Sequence, residues 1–325
     1  MGWNQGTVSP PPEPLAVKRR PVLQAKGLVK RYRQGKRSFE AVRRVSLTLS
    51  EGEILAFLGP NGAGKTTTIK MIAGLVRPSS GQVSILGEDP HRSATALKQV
   101  GAVLEGNRNT YWRLTPEENL EYFGVLKGMP RSQACRRGLA LLEQFQLIEK
   151  RRTPVQRLSR GMQQKLAIAV ALVHQPRLLL LDEPTLGLDV EASEGVKTLV
   201  RTIANEGCAI LLTTHQLDVA EELSHRVAIM RRGELVAERS TEDLIREFSG
   251  GAYRIELDAP LSPQQRQGIL DLGAHLHDDH ISFGGSPTEL YRLLDRLRPL
   301  PILSIQRDRA DLTQVFLQLV RDQVS

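Results

Sequence analysis

Gly59-Pro60-Asn61-Gly62-Ala63-Gly64-Lys65-Thr66-Thr67 is the stretch that decides the fold of this chain. It follows an apolar run, residues 54–58, and leads into a helical pattern. Glycines let successive backbone N–H groups point at phosphates, and the helix N-terminus adds a positive dipole end. Lys65 can reach the β- and γ-phosphates, and the Thr66 hydroxyl can bind Mg²⁺. The order strand, glycine-rich loop, helix therefore predicts a site for ATP or GTP.

Length and composition indicate a globular protein with one large domain and one smaller domain. The 325 residues, 40% of them hydrophobic, suffice for one sizeable α/β core and a smaller domain. No apolar stretch approaches the roughly 18–20 residues that cross a bilayer, and the N-terminus lacks a signal-peptide pattern. Cys135 and Cys208 lie far apart without metal-ligand spacing, which is typical of a cytoplasmic protein.

The net charge of +8 admits three interpretations: solvated basic faces, attraction to an anionic membrane surface, or nucleic acid. No base-stacking module or aromatic-interleaved basic patch accompanies the basic residues, so we expect no specific nucleic-acid partner.

The pattern divides the chain into three parts. Residues 1–22 form a proline-rich tail that we expect to be disordered. Residues 23–248 alternate strand-like and helical runs, with a helical block at about 115–175. Residues 249–325 predict a small α+β accessory domain of order βαββαβ, followed by a helix from Leu312 to Val320. Its polar cluster, residues 275–280, predicts a hairpin rather than a structural metal site.

Two further motifs contain candidate functional residues. Asp182 and Glu183 end the apolar run 178–181, and strand ends are where α/β folds gather catalytic groups. Asp182 can hold Mg²⁺ through water, while Glu183 can orient or deprotonate an attacking water. Upstream, Ser159 can cap a helix and Gly161 admits close backbone approach, a pattern that alone is an ordinary helix start.

With these motifs in this order, residues 23–240 resemble the ATP-binding subunits of ATP-binding-cassette (ABC) transporters. The resemblance rests on the phosphate loop, the signature Leu158–Met162, Asp182-Glu183, the loop 187–189 and His215 in Leu211-Leu-Thr-Thr-His215. It implies an α/β P-loop NTPase cassette with a mixed sheet core, an inserted helical subdomain, and ATP and Mg²⁺ as ligands.

The resemblance also implies roles for individual residues. Tyr32 would stack on adenine, and His215 would contact the γ-phosphate. In this family two subunits pair head to tail, so Ser159 and Gly161 would complete the partner's ATP site, and Asp189 would connect the two sites. The second cassette is expected to be an identical copy.

Two departures from the family pattern matter. Glu105 stands where a glutamine usually touches Mg²⁺ or the attacking water, and we expect it to act as a functional variant. Arg160 and Met162 replace the commonest signature residues but leave the Ser159 hydroxyl and the Gly161 backbone in place.

The segments 104–112 and 311–319 are similar to those of export-type cassettes. A transport role requires a separate membrane permease, which would dock on the helical block and on Tyr111-Trp112 at the cytoplasmic face of the membrane. The alternatives are an importer subunit with a regulatory C-terminal domain, and a soluble ABC ATPase of translation or DNA maintenance.

Overall fold

The computed structural model describes residues 20–34, 37–104, 109–248, 253–277, 280–307, 311–313 and 315–316. Residues 1–19, Glu105, Asp278, Asp279 and most of the predicted last helix lie outside the described residues. The predicted boundary of the tail at residue 22 is wrong by two residues. Pro21 and Val22 already belong to the first strand, because the Val22 side chain packs into the core.

The strands are β1 (Pro21–Gln34), β2 (Arg37–Ser50), β3 (Ile54–Leu58), β4 (Ser80–Ile85), β5 (Val100–Val103), β6 (Leu178–Asp182), β7 (Ala209–Thr213), β8 (Arg226–Arg231), β9 (Glu234–Ser240), β10 (Tyr253–Leu257), β11 (Ala274–Leu276), β12 (Ile281–Phe283) and β13 (Ile302–Arg307). The helices are α1 (Lys65–Ile72), α2 (Ala94–Lys98), α3 (Pro116–Leu126), α4 (Arg131–Gln144), α5 (Arg160–Leu172), α6 (Val190–Asn205), α7 (Leu217–Leu223), α8 (Thr241–Phe248), α9 (Pro263–Leu270) and α10 (Pro287–Leu297).

A six-stranded sheet of order β5-β6-β7-β3-β8-β9 forms the centre of the molecule. All neighbouring strands are parallel except β8 and β9, which are antiparallel. Every residue of β3, β6 and β7 is buried, which explains their unbroken apolar runs. The carboxyl ends of β3 and β6 therefore open on the same edge of the sheet.

Each buried strand contributes to two hydrophobic cores. Ile54, Ala56 and Leu58 of β3 enter the core on the side of α5 and α6. Leu55 and Phe57 point into the core shared with α1 and the second sheet. Alternation of side chains along a strand produces this division. The second sheet is antiparallel, of order β2-β1-β4, and is separate from the first, so the core contains two sheets rather than one.

The helical block consists of α3, α4 and α5. Thr115 and Glu118 form a reciprocal capping box at the start of α3, with Pro116 at its first position. Among the described residues, no helix has the length and apolarity needed to cross a membrane.

The C-terminal residues form a four-stranded antiparallel sheet of order β11-β12-β10-β13, with α9 and α10 in chain order β10-α9-β11-β12-α10-β13. Ile255, Leu293 and Leu297 are fully buried in its own core. After β13 the chain returns to the central domain. There Leu312 and Val315 are buried in the α5–α6 side core, and the Leu312 N–H donates to the Glu221 carboxylate of α7 at 3.0 Å.

Candidate functional site

A cavity of about 450 Å³ lies at the carboxyl ends of β3 and β6. Most of the residues predicted to bind ATP line it together: Tyr32, Asn61, Gly62, Ala63, Gly64, Lys65, Thr66, Thr67, Asp182, Glu183 and His215. Phe39, Ala41 and Leu186 complete the lining. Motifs separated by more than a hundred residues in sequence thus meet at one site.

The phosphate loop curls between β3 and α1 because glycine occupies its tightest positions. Gly64 has φ 107° and caps α1, and a Cβ there would lie 2.5 Å from the Ala41 carbonyl oxygen. Gly62 has φ 78°, and apart from Gly62 and its two chain neighbours no heavy atom of the described residues lies within 4 Å of the position that a Cβ would take there. The loop therefore exposes its backbone toward the cavity at Gly62 and packs tightly at Gly64.

Lys65 is held inside the loop. Its ammonium donates to the Gly59 carbonyl at 2.6 Å and to the Pro60 carbonyl at 3.3 Å. Burial lowers the pKa of the Lys65 amine below its ordinary value, while the carboxylates of Glu183 and Asp182 act in the opposite direction. A cation that shares a cavity with amide donors suits a polyphosphate, which would replace carbonyl contacts with stronger charge-assisted ones.

Asp182 is fixed from two sides by hydroxyl groups. Thr213, at the end of β7, donates a hydrogen bond to Asp182 Oδ1, and Thr66 Oγ1 lies 3.5 Å from the same oxygen. Asp182 Oδ2 is buried and has no hydrogen-bond partner among the described residues. The carboxylate therefore presents one oxygen without a protein donor beside the phosphate loop.

Glu183 has an unusual backbone conformation. Its φ of 51° lies in the left-handed region, which a non-glycine residue rarely adopts, and its N–H donates to the Thr213 carbonyl at 3.0 Å. His215 Nδ1 lies 3.0 Å from Glu183 Oε1, while Glu183 Oε2 is buried and lacks a partner among the residues described. The His215 ring is half exposed and Glu183 is largely buried. The pair is arranged so that one carboxylate oxygen is oriented and the other remains able to accept a proton.

Two aromatic rings border the cavity on the side of the antiparallel sheet. Tyr32 of β1 and Phe39 of β2 are paired across the strands, with ring centroids 5.7 Å apart. The Lys30 ammonium lies 5.2 Å from the Tyr32 ring centroid. Phe39 is 53% exposed, so a flat heterocycle can contact it as well as Tyr32.

The signature residues lie apart from this cavity. Ser159 is exposed and caps α5, accepting a hydrogen bond from the Met162 N–H at 3.3 Å. Gly161 packs on α6, and Asp189 caps α6 through the Ala192 N–H at 2.7 Å. None of the three is among the described residues that line the phosphate-loop cavity. In this chain their visible contacts are helix caps and helix packing.

Sequence reasoning missed Phe39 and Thr213. The signal for Thr213 was present, because it stands two residues before His215 in a run that the strand pattern already identifies. Phe39 carries no local motif, and only its register opposite Tyr32 brings it to the site. Of the C-terminal histidines, His275 lies in β11, whereas His277 follows that strand and His280 precedes β12, and the rings of His277 and His280 stack at 4.4 Å.

The donor set fits a magnesium ion. Mg²⁺ is bound through carboxylate and hydroxyl oxygens, commonly with waters and substrate phosphates filling the remaining positions. Thr66 and Asp182 supply such oxygens, and the partnerless Asp182 Oδ2 is a buried acceptor that requires a donor or a cation. The predicted contribution of Glu105 concerns a residue outside the described ranges.

This geometry defines a P-loop nucleotide-binding site, and similarity to known proteins gives its family. The sequence model described as ABC transporter matches residues 42–186. The chain is 33% identical over 311 residues to the daunorubicin/doxorubicin resistance ATP-binding protein DrrA of Streptomyces peucetius, covering 91% of this chain and 92% of DrrA. It is also 34% identical to the linearmycin resistance ATP-binding protein LnrL of Bacillus subtilis, over 70% of this chain and 72% of LnrL.

Solved structures that resemble this chain belong to the same family. An ATP-binding subunit of an ABC transporter superposes with a TM-score of 0.61 at 32% identity, covering 70% of this chain and 93% of that one. A dimeric cassette in a post-hydrolysis state with ADP and Pi superposes with a TM-score of 0.61 at 28% identity, covering 67% and 98%. The chain belongs to the ABC transporter family. It is the ATP-binding subunit of such a transporter and an ATPase. The predicted fold class is confirmed.

Proposed function

We propose that this chain hydrolyses Mg-ATP in a cassette dimer and drives export of a substrate through a separate membrane subunit. The observation that carries the hydrolytic part is the Glu183–His215 pair beside the phosphate loop. The names of two similar proteins, both resistance ATP-binding proteins, support an export role. The chain would work at the cytoplasmic face of the membrane.

ATP would bind with its adenine against Tyr32 and Phe39 and its phosphates in the loop 59–67. The Lys65 ammonium would leave the Gly59 and Pro60 carbonyls for the β- and γ-phosphates. Thr66 and Asp182 would hold Mg²⁺, which supplies positive charge that offsets the charge on the transferred phosphoryl group.

Glu183 would act as the general base. With its proton on Nδ1, His215 would fix the carboxylate through Oε1, 3.0 Å away, and Oε2 would accept a proton from a water molecule. The water oxygen forms a bond to the γ-phosphorus, the bond from that phosphorus to the β–γ bridging oxygen breaks, and ADP leaves with the electron pair. His215 lines the same cavity as the phosphate loop, so it would contact the γ-phosphate and report that ATP is bound.

The site would be completed by a second copy. Ser159 is exposed at the N-terminus of α5, away from its own phosphate loop, so its hydroxyl is available to a partner's ATP. Gly161 would present its backbone in the same way, and Asp189 would communicate between the two sites. The dimeric cassettes among similar structures support this arrangement.

The membrane subunit would dock beside the helical block. A cavity of about 420 Å³ there is lined by apolar side chains, among them Leu75, Leu97 and Phe123, together with Lys127 and His174. Tyr111 and Trp112 are 49% and 53% exposed near the start of α3. An exposed apolar surface of this kind suits a partner helix.

Replacement of Glu183 by Gln tests the function. We expect ATP binding to persist, because the phosphate loop is intact, and turnover to fall by about 10²–10⁴-fold through loss of the general base. Nucleotide affinity and phosphate release are measured on the same preparation. Glu191→Gln on the exposed first turn of α6 is the matched control and should leave turnover unchanged. Turnover of Glu183→Gln close to wild type would refute the assignment.

A further inference from the structure

Thr185 is a buried residue in the turn that begins at Glu183. The Leu186 N–H donates to the Glu183 carbonyl at 3.2 Å and closes this turn, and Thr185 is only 2% exposed. The Thr185 hydroxyl donates to Gln216 Oε1 at 2.6 Å. Thr185 therefore connects the turn that carries Glu183 with the segment that carries His215.

Gln216 stands at the N-cap of α7, but its side chain makes no capping hydrogen bond there. Short side chains such as serine and aspartate are preferred at an N-cap, because their oxygens reach the first N–H groups of the helix. The Gln216 side chain instead reaches across to Thr185, while the Gln216 backbone N–H donates to Thr214 Oγ1 at 3.0 Å. The residue after His215 is thus held through both its side chain and its backbone.

Three contacts join the two segments. The Glu183 N–H donates to the Thr213 carbonyl at 3.0 Å, His215 Nδ1 lies 3.0 Å from Glu183 Oε1, and the Thr185–Gln216 hydrogen bond follows directly beyond this pair. The φ of Glu183, 51°, is one that persists only where surrounding contacts determine it. The Thr185–Gln216 bond is the contact that secures the outer end of the Glu183 turn.

We propose that Thr185 and Gln216 are positioning residues for the general base. Their hydrogen bond keeps the Glu183 turn beside His215, so that the imidazole orients Glu183 Oε1 while Oε2 faces the attacking water. Neither Thr185 nor Gln216 is among the described residues that line the phosphate-loop cavity, so they act through Glu183 and His215 rather than on ATP. This inference rests on the proposed role of Glu183 as the base.

Steady-state ATPase kinetics test the positioning role. Thr185→Val keeps the side-chain shape but removes the donor, and Gln216→Ser removes the acceptor while supplying a hydroxyl that can cap α7. We expect kcat to fall about 10–100-fold in each variant with an unchanged KM for ATP, because a small misplacement of a catalytic group is costly. Thr185→Ser retains the donor and should retain most of the turnover. An unchanged kcat in Thr185→Val, or an equal loss in Thr185→Ser, would overturn the inference.

Thr241→Val is the matched control for loss of a buried hydroxyl. Thr241 is 5% exposed at the start of α8, and its hydroxyl donates to the Ser224 carbonyl at 2.7 Å. Thr241 is not among the described residues that line the nucleotide cavity. Both Thr241→Val and Thr185→Val should lower the urea midpoint of unfolding, whereas only Thr185→Val should lower kcat. Equal losses of kcat would indicate general destabilisation and would contradict the positioning role.

The Glu183→Gln background separates this inference from the proposed function. If Thr185 acts through the base, Thr185→Val should lower turnover in the wild-type chain but cause no further loss in Glu183→Gln. A further loss of the same size in that background would overturn the positioning role alone. Turnover of Glu183→Gln close to wild type would refute the proposed base and this inference with it.

Discussion

Replacement of Gly161 by alanine separates two roles of the signature glycine. The family resemblance assigns its backbone to a partner's ATP, whereas the structure shows it packed inside its own subunit. A Cβ at Gly161 would lie 2.6 Å from the Ala192 Cβ of α6. Non-bonded carbons approach to about 3.5 Å, so α5 and α6 would have to separate locally by about 1 Å.

The size of the effect follows from two opposing terms. Overpacking of a close contact costs about 1–3 kcal/mol. Alanine is favoured over glycine within a helix by about 0.8–1.0 kcal/mol, less near a helix end. We therefore expect Gly161→Ala to lower the free energy of unfolding by about 1–2 kcal/mol, although alanine is the better helix former.

Urea unfolding of four proteins measures the contact. Ala192→Gly removes the methyl group that Gly161→Ala would strike, so the double variant should recover about 1–2 kcal/mol relative to the sum of the single variants. The ATPase activity of the double variant tests the other role of Gly161, the contact of its backbone with a partner's ATP. Ala192→Gly relieves the clash within the subunit, but the alanine methyl group at position 161 would still obstruct that contact. A coupling energy near zero would show that Gly161 is not required for α5–α6 packing.

Two further predictions concern buried groups. Thr213→Val keeps the side-chain shape but removes the hydrogen-bond donor to Asp182 Oδ1. We expect the free energy of unfolding to fall by about 1–3 kcal/mol and the Mg²⁺ dependence of turnover to become weaker. Unchanged values of both quantities would contradict the role of this hydrogen bond. Burial lowers the pKa of His174 to about 4 from 6.5. Since the unfolded chain then binds the proton more tightly, stability is full above about pH 6.5 and is lost as the pH falls toward 4. The full shift corresponds to about 3 kcal/mol, which partial exposure reduces to the order of 1–2. Urea unfolding at pH 7 and pH 4.5 should show this slope in wild type and a smaller one in His174→Gln, and equal slopes would be inconsistent with a buried neutral imidazole.

Contiguous sequence was sufficient for much of the fold. The apolar runs of β3 and β6 and the phosphate loop between β3 and α1 are local patterns, and each has its expected structure. Local patterns are informative where the physical cause is local, as in a helix cap or a strand buried on both faces.

Contacts between different helices and strands could not be predicted from local sequence patterns. The separation of the antiparallel sheet β2-β1-β4 from the central sheet depends on pairing partners that no single segment specifies. Phe39 reaches the cavity only through its register opposite Tyr32, and the helix packing at Gly161 requires Ala192, which lies in another helix.

The proposed catalytic pair, Glu183 and His215, shows how strand order brings residues of separate motifs together. β6 and β7 are parallel neighbours, and Asp182 of β6 is paired with Thr213 of β7. Both strands therefore end at the same edge of the sheet, side by side. Glu183 is then the first residue after β6 and His215 the second after β7, and the Glu183 N–H bond to the Thr213 carbonyl holds the strained Glu183 backbone. The spacing of these residues along the chain encodes none of this. The pairing of the two strands does.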